Sequence, residues 1–314
     1  MIIATIDREY VEAEGHFANG KYRHVRMPDF QEVDDPKERA ELYHNHPIRV
    51  HNARLLDPPA SIGVQGFQLI KQVTKVRDFL NLEVATTDFY AECKDVVKEL
   101  TGCYDTVVTQ HQYRNGYRHY PEGHPKRMKP TPNGAPGAYG GTHSDISPWA
   151  ENRWDDIVDG RHCAMFNLWR SIDLENPIQT MPLAVLDMTS LSFDDMVAAD
   201  AWGGAQAKQQ HLVSYRLAYN ENQKWYYYPR MLPHEMLVFK QYDTRTENPC
   251  LRQVYHGAIP DPETTEDTPL RHTIEVRVLA LFDKEEDREA RKQRYLAEVP
   301  NKLLDGSTSK WAFR

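Results

Sequence analysis

Residues 271–282 read Arg-His-Thr-Ile-Glu-Val-Arg-Val-Leu-Ala-Leu-Phe, a segment that first alternates and then becomes continuously apolar. This pattern is typical of a strand in the core of a sheet. Arg271, Thr273, Glu275 and Arg277 would share one face of that strand. A buried arginine needs an anionic partner, because its charge is never lost. The partner is either an acid of the same sheet or the carboxylate of a bound dicarboxylate, to which Thr273 would add a donor.

Further β-type runs dominate the chain from residue 105 onward. Seven or eight strands with helices packed outside suit a double-stranded β-helix, the jelly-roll or cupin-like class. We therefore predict a mainly β fold with flanking helices in one domain, 1–314. Its parts would be a helical N-terminal region, a jelly-roll core and a C-terminal helix with tail, at residues 1–104, 105–282 and 283–314. The predicted strands lie at residues 106–113, 164–170, 181–188, 212–219, 236–241, 252–259 and 273–282. The predicted helices lie at residues 35–43, 66–80, 87–100 and 284–296.

A second segment, Gly-Gly-Thr-His-Ser-Asp at residues 140–145, carries metal-binding side chains. It places the imidazole of His143 and the carboxylate of Asp145 two positions apart, so both point to one face of an extended strand. One more imidazole would complete two histidines and one carboxylate around a metal with open positions. That arrangement is the one used by non-haem iron(II) oxygenases.

The third ligand must be chosen among fourteen histidines. His211 opens a predicted strand, and His234 lies in a predicted turn before another. His256 is preferred because the arginine-bearing strand follows it by fifteen residues. The predicted metal ligands are therefore His143, Asp145 and His256.

The order of these motifs resembles the iron(II)/2-oxoglutarate-dependent dioxygenases. The closer resemblance is to a fungal and bacterial natural-product group that includes gibberellin-desaturase-like and cephem-methoxylase-related proteins. The spacing of Arg271 and Arg277 is also similar to that of the paired arginines of nucleic-acid demethylases. The resemblance covers roughly residues 50–282. The segments that carry it are Thr142-His143-Ser144-Asp145, Asn167-Leu168-Trp169-Arg170, Trp225-Tyr226-Tyr227-Tyr228-Pro229, Leu237-Val238-Phe239-Lys240-Gln241-Tyr242-Asp243 and Arg271-His272-Thr273-Ile274-Glu275-Val276-Arg277.

This resemblance implies an oxidoreductase that uses iron(II), 2-oxoglutarate and dioxygen. It would hydroxylate, desaturate or oxidatively cyclise a small-molecule secondary metabolite. The distal carboxylate of 2-oxoglutarate would meet Arg271 or Arg277, and Thr273 and Tyr113 would add hydrogen bonds to the cosubstrate. Sequence does not decide which arginine serves.

Candidate substrate-binding residues lie around the metal motif. Asn167 and Trp169 share a strand face by alternation and Arg170 faces the other way, so the strand leaves open which of them lines a pocket. The Pro- and Gly-rich stretch 117–141 precedes His143 and is predicted to be a lid. Cations that could receive a substrate carboxylate are Arg114, Arg118, Arg161 and Arg170.

Composition excludes several classes of protein. The net charge of −8 argues against a nucleic-acid partner. No run reaches the length of a membrane span, and the opening Met-Ile-Ile-Ala-Thr-Ile-Asp is too short for a secretory signal. Four cysteines without disulfide-like spacing indicate free thiols in a reducing, cytoplasmic compartment. The composition allows a homodimer.

Two other functions fit the same residues. One is an iron-dependent oxidase that has the triad but does not use 2-oxoglutarate, so that both arginines bind the substrate. The other is a jelly-roll binding protein without catalytic activity. Formation of succinate separates the first alternative from the main prediction, and affinity for iron separates the second. A nucleic-acid demethylase is disfavoured by the charge.

Overall fold

The computed structural model describes residues 8–115, 137–138, 140–148, 154–202, 211–285, 293, 296–297 and 299–309. Strands account for most of the regular structure in these residues. The strands are β1 (Tyr10–Ala18), β2 (Tyr43–Asn52), β3 (Phe67–Lys71), β4 (Asp105–Asn115), β5 (His143–Ser144), β6 (Arg161–Ser171), β7 (Leu183–Leu186), β8 (Met196–Trp202), β9 (His211–Leu217), β10 (Trp225–Tyr227), β11 (Glu235–Asp243), β12 (His256–Ala258) and β13 (His272–Glu285). The α-helices are α1 (Pro36–Ala40), α2 (Leu82–Val84), α3 (Tyr90–Thr101) and α4 (Asp155–Val158).

The strands form two sheets. The large sheet has eight strands in the order β1-β2-β10-β7-β12-β5-β9-β8, and the small sheet has five in the order β3-β11-β6-β13-β4. Neighbouring strands are antiparallel except β2 and β10. Because most neighbours in the sheets are distant in the sequence, the chain crosses repeatedly between sheets, as a jelly roll requires. The predicted mainly β, double-stranded β-helix fold is confirmed.

The small sheet separates its apolar and polar side chains by alternation. Phe166, Leu168, Ile274 and Val276 lie on its outer face and pack with α3 in one buried cluster. Burial of each such side chain contributes about 1.5–3 kcal/mol to folding. The partners in register on the opposite face include Asn167 with Arg277 and Trp169 with Glu275. The polar members of β6 and β13 therefore line the space between the two sheets.

The other end of this space is apolar. Trp169, Leu183, Val185, Leu237 and Phe239 belong to one buried cluster that joins β6, β7 and β11. The ring centroid of Phe239 lies 4.9 Å from that of His256. The side chains of this apolar cluster therefore exclude water from one side of His256.

The N-terminal region differs from its predicted helical character. Residues 66–80 do not form the predicted helix, since residues 67–71 form β3 and pair antiparallel with β11. Phe67 and Leu69 lie two positions apart, as strand alternation requires, and pairing with the edge of β11 fixes residues 67–71 as a strand. β1 and β2 also lie within residues 1–104, so that region is not mainly helical.

Two of the four predicted helices are confirmed, and the C-terminal one is wrong at its start. Asp35 caps α1 through a bond from the backbone amide of Lys37, with proline at the first turn. α3 ends at Gly102, which adopts the left-handed conformation with φ 63° that glycine tolerates. The predicted C-terminal helix fails at its start, because β13 continues to Glu285. Of its remaining residues, Gln293 and Leu296 are helical and the others lie outside the described ones.

Close approach of two backbone segments places the metal-binding motif. β5 lies between β12 and β9 in the large sheet, and His256 pairs directly with His143. A Cβ atom on Gly257 would lie 3.2 Å from the carbonyl oxygens of Gly140 and Gly141. Glycine at position 257 therefore allows β12 to pack against the segment that leads into His143.

Candidate metal centre

Three side chains that sequence predicted as ligands converge in the space between the sheets. His143 lies on β5, Asp145 is the first residue after this strand, and His256 begins β12. One ligand atom from each lies within 4.8 Å of the others. The distances are 3.4 Å from His143 Nε2 to Asp145 Oδ1 and 3.8 Å from His256 Nε2 to Asp145 Oδ2. The structure thus brings together one carboxylate and two imidazoles, the donor set that suits iron(II).

Backbone carbonyl groups orient both imidazoles. His143 Nδ1 lies 2.8 Å from the carbonyl oxygen of Gly141, and His256 Nδ1 lies 3.4 Å from that of Val254. A carbonyl only accepts, so each Nδ1 carries the hydrogen and each Nε2 presents its lone pair to the centre. This orientation is the usual one for a histidine that binds a metal.

Electrostatics keep His256 and Asp145 in the protonation states that bind a metal. Burial, helped by the neighbouring His143, lowers the pKa of His256 to about 3, so its imidazole is neutral. Burial alone would raise the pKa of Asp145, but the charge of Arg277 and hydrogen bonding to His143 hold this pKa well below its usual range. A neutral imidazole and an ionised carboxylate are what a divalent cation needs. His256 and Asp145 therefore suit iron(II) in their protonation as well as in their position.

One oxygen of Asp145 is held by two donors. Arg277 approaches Asp145 Oδ2 at 2.9 Å, and Asn167 Nδ2 donates to the same oxygen at 2.9 Å. Oδ1 is the oxygen closest to His143. Since Oδ2 already accepts two hydrogen bonds, the geometry favours Oδ1 as the atom that meets a metal.

Arg277 is bound to acids of the protein. Its guanidinium lies 3.1 Å from Glu275 Oε1 as well as 2.9 Å from Asp145. Burial would lower the pKa of Arg277, but these two carboxylates raise it above its ordinary value. Burial and the charge of Asp145 raise the pKa of Glu275. Arg277 is therefore engaged with the centre itself, which disagrees with a role as the receiver of a distal carboxylate.

Arg271 lies on the same face, immediately before the first residue of β13. It is buried, its Nη1 donates to the carbonyl of Met181, and its guanidinium carbon lies 5.3 Å from the ring centroid of Trp169. Its backbone amide donates to Thr180 Oγ1 at 2.8 Å. The hydroxyl of Thr273 donates to the carbonyl of Arg114 at 3.0 Å. Arg271 and Thr273 thus form the part of the inner face of the small sheet that lies beyond Trp169.

Two predicted site residues lie away from the centre, on the outer face of the small sheet. Tyr113 was predicted to bind the cosubstrate, but it lies opposite Ile274 on the outer face of the small sheet, and its hydroxyl donates to the carbonyl of Phe79. Arg170 was a substrate candidate, but it also points outward, with its guanidinium close to the rings of Phe79 and Phe89. Burial there lowers the pKa of Arg170 to about 10. Strand alternation explains both positions, since residues 113 and 170 have the outward phase.

The remaining cation candidates differ in position. Arg161 donates to the carbonyls of Val158 and Ile157 and so closes the end of α4. Arg114 lies in register with Thr273, on the face of β4 that belongs to the centre. Arg118 and most of the predicted lid, 117–141, lie outside the described residues.

Sequence reasoning missed two residues near the ligands. Arg216 lies in register with His143 on the neighbouring strand β9, and its Nε donates to the hydroxyl of Tyr43 at 3.2 Å. Gln241 accepts a hydrogen bond from the backbone amide of Asp145 at 3.0 Å. Gln241 stood in a motif that carried the family resemblance, which was the signal available. Nothing in the sequence distinguishes Arg216 from other strand arginines.

A family model and several curated fungal proteins match this chain. The model described as "Oxidoreductase/YMDC permease-like domain" matches residues 10–281. The chain is 27% identical over 266 residues to "Hydroxylase/desaturase efuI" of Hormonema carpetanum, covering 78% of this chain and 86% of that protein. It is 25% identical to the fungal "Alpha-ketoglutarate-dependent dioxygenase phiK", covering 69% and 78%. It is 26% identical to "Fe(II)/2-oxoglutarate-dependent dioxygenase nvfI" of Aspergillus novofumigatus, covering 75% and 83%.

A solved structure shares the fold. The "iron and alpha-ketoglutarate-dependent endoperoxidase NvfI" superposes with a TM-score of 0.67 over 88% of this chain and 99% of that one, at 20% identity. In the described part of the chain, no helix is long and apolar enough to cross a membrane. The chain therefore belongs to the oxidoreductase/YMDC permease-like domain family, and its predicted resemblance to the iron(II)/2-oxoglutarate-dependent dioxygenases of natural-product metabolism is confirmed.

Proposed function

We propose that this protein is an iron(II)- and 2-oxoglutarate-dependent oxygenase that hydroxylates, desaturates or oxidatively cyclises a small secondary metabolite. The observation that carries the proposal is the cluster of His143, Asp145 and His256, which faces a wall bearing a buried arginine. The names of the fungal relatives given above describe the same class of chemistry. Iron(II) with 2-oxoglutarate and dioxygen supplies the oxidising power when bound, and 2-oxoglutarate leaves as succinate and carbon dioxide.

The ligand residues would hold the metal through His143 Nε2, His256 Nε2 and Asp145 Oδ1. Their orientation is set before the metal arrives, because the Nδ1 atoms and Asp145 Oδ2 are already engaged. Binding then needs little reordering of side chains. Three protein ligands leave positions open on the metal for cosubstrate and dioxygen.

Arg271 is the residue that we assign to the distal carboxylate of 2-oxoglutarate. Arg277 contacts Asp145 directly and is too close to the metal ligands for that role. Trp169 lies two residues beyond Asn167 on β6, which is about 7 Å along a strand. The guanidinium of Arg271 lies over Trp169, whereas that of Arg277 is paired with Asp145, so we place the distal carboxylate at Arg271. Thr273 lies on the same face, and its hydroxyl hydrogen is donated to the carbonyl of Arg114.

The substrate would occupy the polar face that remains around the centre. Arg114 and Asn167 lie on this face, and Trp169 forms its apolar boundary. A net charge of −8 favours a small molecule over nucleic acid as the substrate. The four cysteines are buried free thiols, which supports a reducing, cytoplasmic location. We keep the homodimer as a prediction, which light scattering would test.

Anaerobic titration tests the proposed function. Addition of iron(II) and then 2-oxoglutarate to the metal-free protein should produce the weak visible charge-transfer band of the chelate. His143→Ala, Asp145→Ala and His256→Ala should each abolish the band and the turnover, because each removes one of three ligands. His234→Ala is the matched control, since that imidazole is exposed and lies outside the cluster.

Three other results would separate the alternatives. Iron binding without a band and without succinate would favour the oxidase that does not use 2-oxoglutarate. No affinity for iron would favour the binding protein. Turnover of nucleic acid would contradict the small-molecule substrate.

A further inference from the structure

Gln241 lies at an irregularity of the small sheet. The register between β11 and β6 shifts between Lys240 and Tyr242, so Gln241 is the extra residue of a β-bulge. Its side chain is fully buried, with 0% exposure. A bulge changes the direction in which a strand residue points and is frequent beside active sites. Here it turns an amide from the small sheet toward the metal-binding segments of the large sheet.

The amide of Gln241 bonds two separate backbone segments. Its Oε1 accepts from the backbone amide of Asp145 at 3.0 Å, and its Nε2 donates to the carbonyl of Val254 at 3.1 Å. A backbone N–H can only donate and a carbonyl can only accept. These two partners therefore fix which end of the side-chain amide is oxygen and which is nitrogen.

The second of these contacts reaches His256. The carbonyl of Val254 is also the acceptor that orients His256 Nδ1. Gln241 thus connects the backbone of one metal ligand with the carbonyl that holds another. Few bonds do this directly, because β5 and β12 pair in register only at His143 and His256. A second link, from Ser144 Oγ to Gln253 Oε1 at 2.7 Å, lies beside the first.

We propose that Gln241 is a positioning residue that fixes Asp145 and His256 at the separation required to bind the metal. This inference rests on the proposed function. Gln241 does not touch the metal or the substrate, and acts through the two backbone segments that it joins. Partners of this kind typically change metal affinity or activity by about ten- to a hundredfold when they are removed.

The test measures metal affinity in the metal-free protein, with cobalt(II) as an air-stable probe. Gln241→Met keeps the length of the side chain but removes both hydrogen bonds. Gln241→Asn keeps the amide but is too short to reach both segments. Both variants should bind cobalt(II) about ten- to a hundredfold more weakly than the natural protein, and the absorption spectrum of the bound cobalt(II) should change.

Lys240→Met is the matched control for the bulge. Lys240 is also buried, and its amine contacts Leu251 and Asp243 but neither metal-binding segment. This variant should lower the melting temperature while leaving the cobalt(II) affinity unchanged. A purely structural role for Gln241 would give the same result for its variants as for Lys240→Met.

The outcomes separate the inference from the proposed function. If the natural protein binds neither cobalt(II) nor iron(II), the proposed function fails. If it binds the metal and both Gln241 variants bind it equally tightly, only the inference is overturned. If Gln241→Met does not fold, the affinity measured for Gln241→Asn decides.

Discussion

Arg271 and Arg277 share one strand face but have different surroundings. Arg277 lies between Asp145 and Glu275, and its charge stabilises the ionised form of a metal ligand. Arg271 is buried beside Trp169, where its guanidinium donates to the carbonyl of Met181 and lies over the indole ring. A carboxylate is the chemical partner that a buried guanidinium requires. The two arginines should therefore affect different steps when changed.

At the level of this residue, Arg271→Ala should raise the apparent KM for 2-oxoglutarate about ten- to a hundredfold. Loss of a charge-assisted hydrogen bond costs about 1.5–3 kcal/mol, which corresponds to that factor. Steady-state kinetics at varied 2-oxoglutarate concentration measure it. Arg49→Ala is the control, because Arg49 is an exposed arginine that pairs with Glu12 at 3.8 Å. An unchanged KM in Arg271→Ala would reject the assignment of the distal carboxylate.

Strands and their ends decide which side chains reach the centre. β6 presents Asn167 and Trp169 to the space between the sheets and Arg170 to the helical layer. The bulge at Gln241 breaks this alternation on β11 and gains a contact that a regular strand would not provide. The start of β11 is held differently, by Arg54, whose guanidinium binds both oxygens of Glu235 at 2.8 and 2.6 Å.

This contact at the start of β11 predicts a pH dependence of stability. Burial would raise the pKa of Glu235, but hydrogen bonds from Arg54 and the backbone of Leu232 lower it below its ordinary value of 4.5. A lowered folded-state pKa means that the pair stabilises the fold above about pH 4.5. That stabilisation is lost as the pH falls through the folded-state pKa. Glu235→Gln should therefore lower the free energy of unfolding by about 1.5–3 kcal/mol at neutral pH and by much less in acid.

Urea denaturation at a series of pH values measures this difference. Glu266→Gln, in an exposed turn, is the control and should change the unfolding free energy little at any pH. A difference between Glu235→Gln and the natural protein that stays constant down to acid pH would contradict the role of the ion pair.

Across the whole molecule, the centre is assembled from both sheets. The large sheet supplies His143, Asp145 and His256, and the small sheet supplies the donors Asn167 and Arg277. The candidate metal site is therefore complete only when the sheets are packed face to face. Metal binding should consequently report on the folded state and stabilise it.

A buried ion pair and its hydrogen bonds join segments of the chain that are distant in the sequence. Arg26 is fully buried and lies 3.5 Å from Asp200 on β8. Arg26 Nη2 also donates to Asn301, and Ser309 Oγ donates to Asp200. Asp200→Ala should lower the free energy of unfolding by about 3–5 kcal/mol, because it leaves a buried guanidinium without its carboxylate.

Chemical denaturation of the metal-free protein checks this value. Glu12→Ala is the control, because its ion pair with Arg49 is solvent-exposed and should contribute close to nothing. Equal effects of the two substitutions would show that Arg26 does not depend on Asp200.

The sequence by itself determined the candidate ligand set and the class of fold. His143 and Asp145 are two residues apart, so their common direction follows from strand geometry alone. The choice of His256 followed from the strand after it, and the structure places it opposite His143. The apolar alternation of residues 273–282 predicted a core strand, which is β13. Each of these features depends on residues that are close together in the sequence, so the spacing and alternation of those residues were enough to predict it.

Tertiary structure alone decided which strand face is inside. Alternation shows that Asn167 and Arg170 point in opposite directions, but only the packing of α3 on the outer face places Arg170 and Tyr113 away from the centre. The same holds for Gln241, since a bulge depends on the register of a partner strand that is distant in sequence. Pairing between such strands is a long-range property, and no local pattern in one strand encodes the phase of another.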